Sequence, residues 1–216
     1  RIVMPACASA ERKAIIAAFG AELELTPARL GTDGAIARAA ALAASNPGAF
    51  FLPDQFSNRA NVLAHQEGTG PEIWRQTHGE VDAVVAGIGT GGTLTGIARF
   101  LRRAKPSASV IGVEPVVGHR IQGLKNLSES EIPAIFDRGQ LDGILSVGDE
   151  EAFAMTRRLA AAAGIFCGMS SGAALAGALR VARLRPGAVI VAILPDRGER
   201  YLSTELFRST CGQCPP

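Results

Sequence analysis

Apolar and polar positions along this chain switch repeatedly between a period near two and a period near 3.6, which spells strand, helix, strand. Ser9 is placed to cap a helix over residues 10–19, with Gly20 as its stop. Residues 22–26 read as a strand ended by Pro27. Residues 33–44 read as a second helix closed by Asn46, Pro47 and Gly48, and residues 49–53 as a short apolar strand. Residues 61–76 read as helical, with an interruption at Gly68-Thr69-Gly70-Pro71. A buried strand is expected over 81–88. A helix follows over 93–105, with Leu94, Ile97, Ala98 and Leu101 on one face and Pro106 after its end. A strand over 110–113 precedes an irregular stretch from 115 to 143. Then come a strand over 144–147, a helix capped by Asp149 and closed by Gly164, a helix over 171–184, a strand over 188–194 and a short helix near 203–207. No internal repeat is visible.

Strands alternating with helices imply an α/β fold, a mostly parallel sheet covered by helices on both faces. Ligands in such folds bind beyond the carboxyl ends of strands. The loops after Ile88, Val113 and Leu194 are therefore the places to look for chemistry.

Composition narrows the function classes. The chain has 216 residues, 47% hydrophobic and 19% charged, a globular balance rather than a disordered one. A net charge of +2 gives no electrostatic case for nucleic acid or an anionic membrane as partner. The longest apolar run, 188–194, is far short of a membrane span. Four cysteines in a chain of this size make no disulfide scaffold, and the cytoplasm is the expected compartment. The chain opens with Arg1 and runs at once into the apolar Ile2-Val3-Met4. We expect a fragment that has lost something upstream.

The strongest chemical signal is GIGTGGTLTG over 87–96, which follows the buried strand and opens a helix. Glycines let the backbone turn tightly and bring its amides to an anion, and the helix start adds free N–H donors and partial positive charge. A phosphate is the expected guest, with Thr90 and Thr93 as added donors. Gly87, Gly89 and Gly92 also satisfy G-x-G-x-x-G, and Glu114 lies 22 residues after Gly92, close to a dinucleotide fingerprint. The spacing leaves a monophosphate cup, a dinucleotide site and a ligand-free tight turn all open.

The second signal is GIFCGMSSGAA over 164–174, where Gly168 and Gly172 bracket two hydroxyls at a helix start. A serine there serves either as an N-cap or as a hydroxyl facing a heteroaromatic nitrogen, with the small residues behind it admitting a flat ring. The pattern does not choose between these. Cys167 reads as a small buried residue. Cys211 and Cys214 form C-x-x-C, too few thiols for a zinc site and outside the setting of a redox pair, and read as an exposed tail or the start of a lost downstream segment. His65, His78 and His119 show no ligand spacing and read as structural or solvated.

Together, GIGTGGTLTGIARFL, GIFCGMSSGAALAGAL, ILPDRGERYLST, VMPACASAERKAIIAAFGAELELTP and DQFSNRANVLAHQEGTGPEIW resemble the cysteine synthase family. These are fold-type II pyridoxal-phosphate enzymes, similar to the tryptophan synthase β chain and cystathionine β-synthase. The resemblance runs in order from about residue 1 to about residue 208 and implies a fold that is incomplete at the N-terminus. It implies residues 1–54 as the remainder of a smaller α/β domain, 55–208 as a larger cofactor-binding domain and 209–216 as a tail. It assigns Gly89, Thr90, Gly91, Gly92 and Thr93 to the cup for the cofactor phosphate and Ser170 to the pyridine nitrogen. It places Gln55 near the substrate carboxylate, Gly123 in a loop at the active-site mouth, and Lys125 where some members put a cation for O-phosphoserine. An exposed loop lysine is the competing account of Lys125. Glu114 becomes a structural strand-end residue.

The family reaction forms L-cysteine from an activated serine, O-acetylserine or O-phosphoserine, and sulfide or another sulfur donor. Its members are commonly homodimers. The Schiff-base lysine and an asparagine-rich substrate loop lie upstream in the family, and neither is in this sequence. Lys13, Lys105 and Lys125 are its only lysines, and none matches that position. The isolated chain is therefore expected to bind cofactor weakly and not to turn over. Cystathionine β-synthase or another lyase, a non-catalytic cofactor- or partner-binding chain, and an NAD-dependent oxidoreductase are the competing readings.

Overall fold

A computed structural model describes residues 1–207. The Cys211 and Cys214 pair lies outside them. The described residues divide into two compact units, 1–53 together with 197–207, and 54–196.

The larger unit is built on four parallel strands in the order β5-β4-β3-β6: β3 (Val81–Gly87), β4 (Ser109–Pro115), β5 (Gly143–Val147) and β6 (Val189–Ala192). β3 reads as an almost continuous apolar run because both of its faces are covered. Val84 and Ala86 belong to the cluster formed with Leu94, Ile97, Ala98 and Leu101 of α5 (Gly92–Ala104). On the opposite face Val85 and Val113 lie against Gly177 of α7 (Met169–Leu184), where a side chain at 177 would overlap Val113. α6 (Asp149–Ala163) packs on α7 and ends at Gly164, whose φ of 66° is the left-handed stop expected of a glycine there.

Three expectations fail locally. Residues 61–76 do not break at their glycine-proline stretch. α3 (Arg59–Ala64) runs into a π-helical turn (His65–Thr69) and on into α4 (Gly70–Gln76). The widened turn accommodates the missing N–H of Pro71 and keeps the chain helical. Asp149 does not cap α6. The cap position is Gly148, and the Asp149 carboxylate instead accepts from the backbone and side chain of Arg120. Residues 203–207 form turns, and the short 3-10 helix comes earlier, at Gly198–Tyr201.

The smaller unit holds β1 (Ile2–Pro5) parallel to β2 (Leu23–Thr26), with α1 (Ala10–Ala18) and α2 (Gly31–Ser45). Ser9 caps α1 as expected. Residues 49–53 are not a strand. No described strand lies alongside to pair with them, and Phe51 is 88% exposed. The segment after Asp196, read from sequence with the larger domain, groups with this unit. Ser203 donates to Glu11 from its amide (2.6 Å) and hydroxyl (2.8 Å), Ser9 donates to the Arg200 carbonyl, and the Arg12 guanidinium lies over the ring of buried Tyr201.

Among the described residues no helix is long and apolar enough to cross a membrane. No group of three His, Cys, Asp or Glu residues among them could hold a metal ion.

Candidate functional site

β3 sits inside the sheet with β4 on one side and β6 on the other. The chain leaves it towards β4 through α5 on one face and reaches β6 through α7 on the other. Such a reversal opens a crevice at the carboxyl ends of the strands. A cleft of about 140 Å³ lies there, lined by Gly87, Gly89, Thr90, Gly91 and Thr93, by Gly123 and Leu124, by Ser170, and by Ile193 and Pro195. Every side chain lining it is uncharged.

The glycines are spent on close approach. Gly91 caps α5 with φ 78°, a left-handed conformation that favours glycine, and a side chain there would overlap Phe136. A Cβ on Gly89 would stand 2.8 Å from the carbonyl oxygen of Gly123. The mouth loop is fixed to the glycine loop by Lys125 N–H donating to the Ile88 carbonyl at 2.8 Å.

The donors that result are poised for an anion. Among the described residues, nothing accepts a hydrogen bond from the backbone N–H of Gly89, Thr90, Gly91 or Thr93. Gly92 behaves differently. Its N–H donates to Thr90 Oγ1 at 3.2 Å, its α-carbon lies against Asn61, and it does not line the cleft. Four free amides and two threonines at a helix start fit a phosphate monoester.

Two residues that hold this loop were not found from sequence. Asn61 Nδ2 donates to Thr90 Oγ1 (3.1 Å) and to the Gln55 carbonyl (2.8 Å). His65, read as structural or solvated, bonds Thr93 Oγ1 through Nε2 (3.1 Å) and Thr69 Oγ1 through Nδ1 (2.9 Å), and burial lowers its pKa. Both lie on the α3–π–α4 segment, remote in sequence from the glycine loop, so no local spacing could reveal them.

The other expected residues divide. Ser170 is buried, lines the cleft and lies in the first turn of α7, whose cap is Gly168, so the N-cap account of this serine does not hold. Gly172 does not open room for a flat ring. A side chain there would overlap Ala152 O and Thr156 of α6, so this glycine serves helix packing. Gly123 reaches the cleft. Gln55 does not line it, and its carbonyl anchors Asn61. Lys125 is neither exposed nor in the cleft. It is 6% exposed, with Nζ 3.4 Å from the Glu131 carbonyl and 5.3 Å from the Phe56 ring centre. Glu114 accepts from Leu127 N–H at 3.1 Å, a structural engagement of the carboxylate that the dinucleotide spacing had singled out. Cys167 is buried, and burial pushes its thiol pKa up, which suits an inert packing residue.

The chain is similar to known proteins over most of its length. A family model described as "Pyridoxal-phosphate dependent enzyme" matches residues 1–196. Cysteine synthase B of Salmonella typhimurium is 46% identical over 207 residues, which cover 96% of this chain and 68% of that protein. A cysteine synthase of Aquifex aeolicus is 47% identical over 211 residues, covering 95% of this chain and 64% of its own length. Among solved structures, a cysteine synthase of Entamoeba histolytica superposes with a TM-score of 0.86 at 41% identity, covering 96% of this chain and 64% of that one. The chain thus spans about two thirds of the length of these relatives.

Proposed function

We propose a β-replacement that forms L-cysteine for this chain, which belongs to the family of pyridoxal-phosphate-dependent enzymes and is of the cysteine synthase kind. The observation that carries the reading is the set of free amides at Gly89, Thr90, Gly91 and Thr93 beside a buried Ser170. Those amides, with the Thr90 and Thr93 hydroxyls, bind the cofactor's phosphate. Ser170 offers a neutral hydroxyl to the pyridine nitrogen, so no carboxylate holds a proton there. When bound, the cofactor supplies the electron sink that lets one group leave the β-carbon of an amino acid and another take its place. Gly123 and Leu124 form the mouth through which a small amino acid and a sulfur donor enter.

The leaving group we propose is acetate. Lys125, the cation that would pair with a phosphorylated serine, is turned onto the Glu131 carbonyl and the Phe56 ring.

A second reading rests on the lysines. Lys13 Nζ donates to the Ala6 carbonyl, and Lys105 Nζ donates to the Glu80 carbonyl and Asp82. With Lys125 on Glu131, none of the three lines the cleft. These 216 residues then hold the cofactor without turnover, because no amine is placed to take the substrate's α-proton.

Equilibrium dialysis against pyridoxal phosphate and against NAD tests the site. Retention of pyridoxal phosphate alone is expected, and retention of NAD alone rejects the assignment. Adding a separately expressed N-terminal segment of the Salmonella relative, with O-acetylserine and sulfide, tests the reaction. Cysteine production is expected, and its absence at every ratio rejects β-replacement by this chain.

A further inference from the structure

Thr90 Oγ1 has only two lone pairs, and donors occupy both. Asn61 Nδ2 approaches it at 3.1 Å and Gly92 N–H at 3.2 Å. A hydroxyl that accepts twice has one capacity left, its own proton. Thr90 lines the cleft, so that proton is presented to whatever lies there. The orientation of the Asn61 amide follows from its second bond. Nδ2 also donates to the Gln55 carbonyl at 2.8 Å, and turning the amide over would set Oδ1 against that carbonyl oxygen. Both amide hydrogens are thereby used. Oδ1 fills the space that a side chain at residue 92 would need, which ties Asn61 to the start of α5 from a second side.

We propose that Asn61 is a positioning residue that makes Thr90 a donor and not an acceptor, and so sets the site's preference for a phosphate ester over the neutral alcohol of the same ring compound. The inference rests on the reading of the cleft as the cofactor's phosphate site. An acid in place of the amide reverses the hydrogen bond. The carboxylate of Asn61→Asp accepts the Thr90 proton and withdraws the donor from the cleft, where the amide of the parent forced it outward.

The test is a binding cycle on the full chain with two probes, pyridoxal phosphate and pyridoxal, measured by equilibrium dialysis. The variants are Asn61→Ala, Asn61→Asp, Thr90→Val, Thr90→Ser and the double variant Asn61→Asp/Thr90→Val. A hydrogen bond to a charged group is strong enough that its loss weakens binding about tenfold to a hundredfold. We expect the parent to prefer pyridoxal phosphate, Thr90→Ser to keep that preference, and Thr90→Val and Asn61→Asp each to lose about tenfold or more for pyridoxal phosphate and nothing for pyridoxal. Adding Thr90→Val to Asn61→Asp should cost no more, because the donor is already withdrawn. A penalty for Thr90→Val that is the same in both backgrounds overturns the proposal, since the acid then acts by its charge alone. So does Asn61→Asp binding pyridoxal phosphate as tightly as the parent. A parent chain that does not distinguish the two probes sinks the phosphate reading itself, and the proposal with it. If Asn61→Asp does not fold, judged by circular dichroism without ligand, Asn61→Ala completes the cycle. There the Thr90→Val penalty should shrink, and an unchanged penalty overturns the proposal.

Discussion

The two units use the same kind of strand to different ends. In the larger, Val81, Ala83, Val84 and Val85 of β3 are wholly buried, because strands flank β3 on both sides and helices cover both faces. In the smaller, β1 and β2 form a two-stranded sheet, and Ile2 and Leu25 remain 42% and 49% exposed. Apolar composition alone does not bury a strand; the number of neighbours does. The rigid glycine loop belongs to the unit that has them, where α5 can be held tightly enough to fix amides in place.

The sharpest way to test this contrast is a pair of matched truncations. Leu94→Ala, at a fully buried site on α5, should lose about 2–5 kcal/mol in a denaturant melt, from transfer plus cavity. Leu25→Ala on β2 should lose no more than about 1 kcal/mol. Equal losses would erase the distinction between the units.

Acidification should act on the larger unit next. Burial lowers the pKa of both His65 and His119, so the unfolded chain binds protons that the folded one does not. Stability is then full above the unfolded histidine value of about 6.5 and declines as the pH falls through and below it. Thermal melts between pH 7.5 and 5.5 should show this, and His65→Gln should flatten the slope. A midpoint that rises on acidification would contradict it.

The smallest effect belongs to the smaller unit. Phe51→Ser, at an 88% exposed position, should change stability by less than about 0.5 kcal/mol while reducing concentration-dependent light scattering. A large destabilisation would mean that this residue is packed in solution.

What the sequence disclosed follows from the range of the forces involved. The apolar run of β3, the Ser9 cap, the Gly164 stop and the glycine loop are local events, each fixed by a few consecutive residues, and each was legible. The strand expected at 49–53 failed because a strand needs a partner, which no local pattern supplies. The direction of the Lys125 side chain, the partner of Asp149 and the packing duty of Gly172 depend on residues many positions away, and spacing carries no trace of them. Asn61 and His65 were hidden for the same reason. Each meets the glycine loop 28 or 29 residues downstream, across a fold that must already exist.

The π-helical turn at His65–Thr69 sets a tolerance for change in this segment. Each residue of an α-helix advances the chain by about 100° around its axis. A π-turn holds one residue more than the α-turn it replaces, so removing one residue within His65–Thr69 would leave α4 close to its present phase, whereas removing one from α4 ahead of Ile73 would swing that side chain, now 6% exposed, by about that angle away from the core cluster it joins. The surplus residue works as slack taken up in a single turn, so the loss of one residue should be tolerated there and almost nowhere else along α3 and α4.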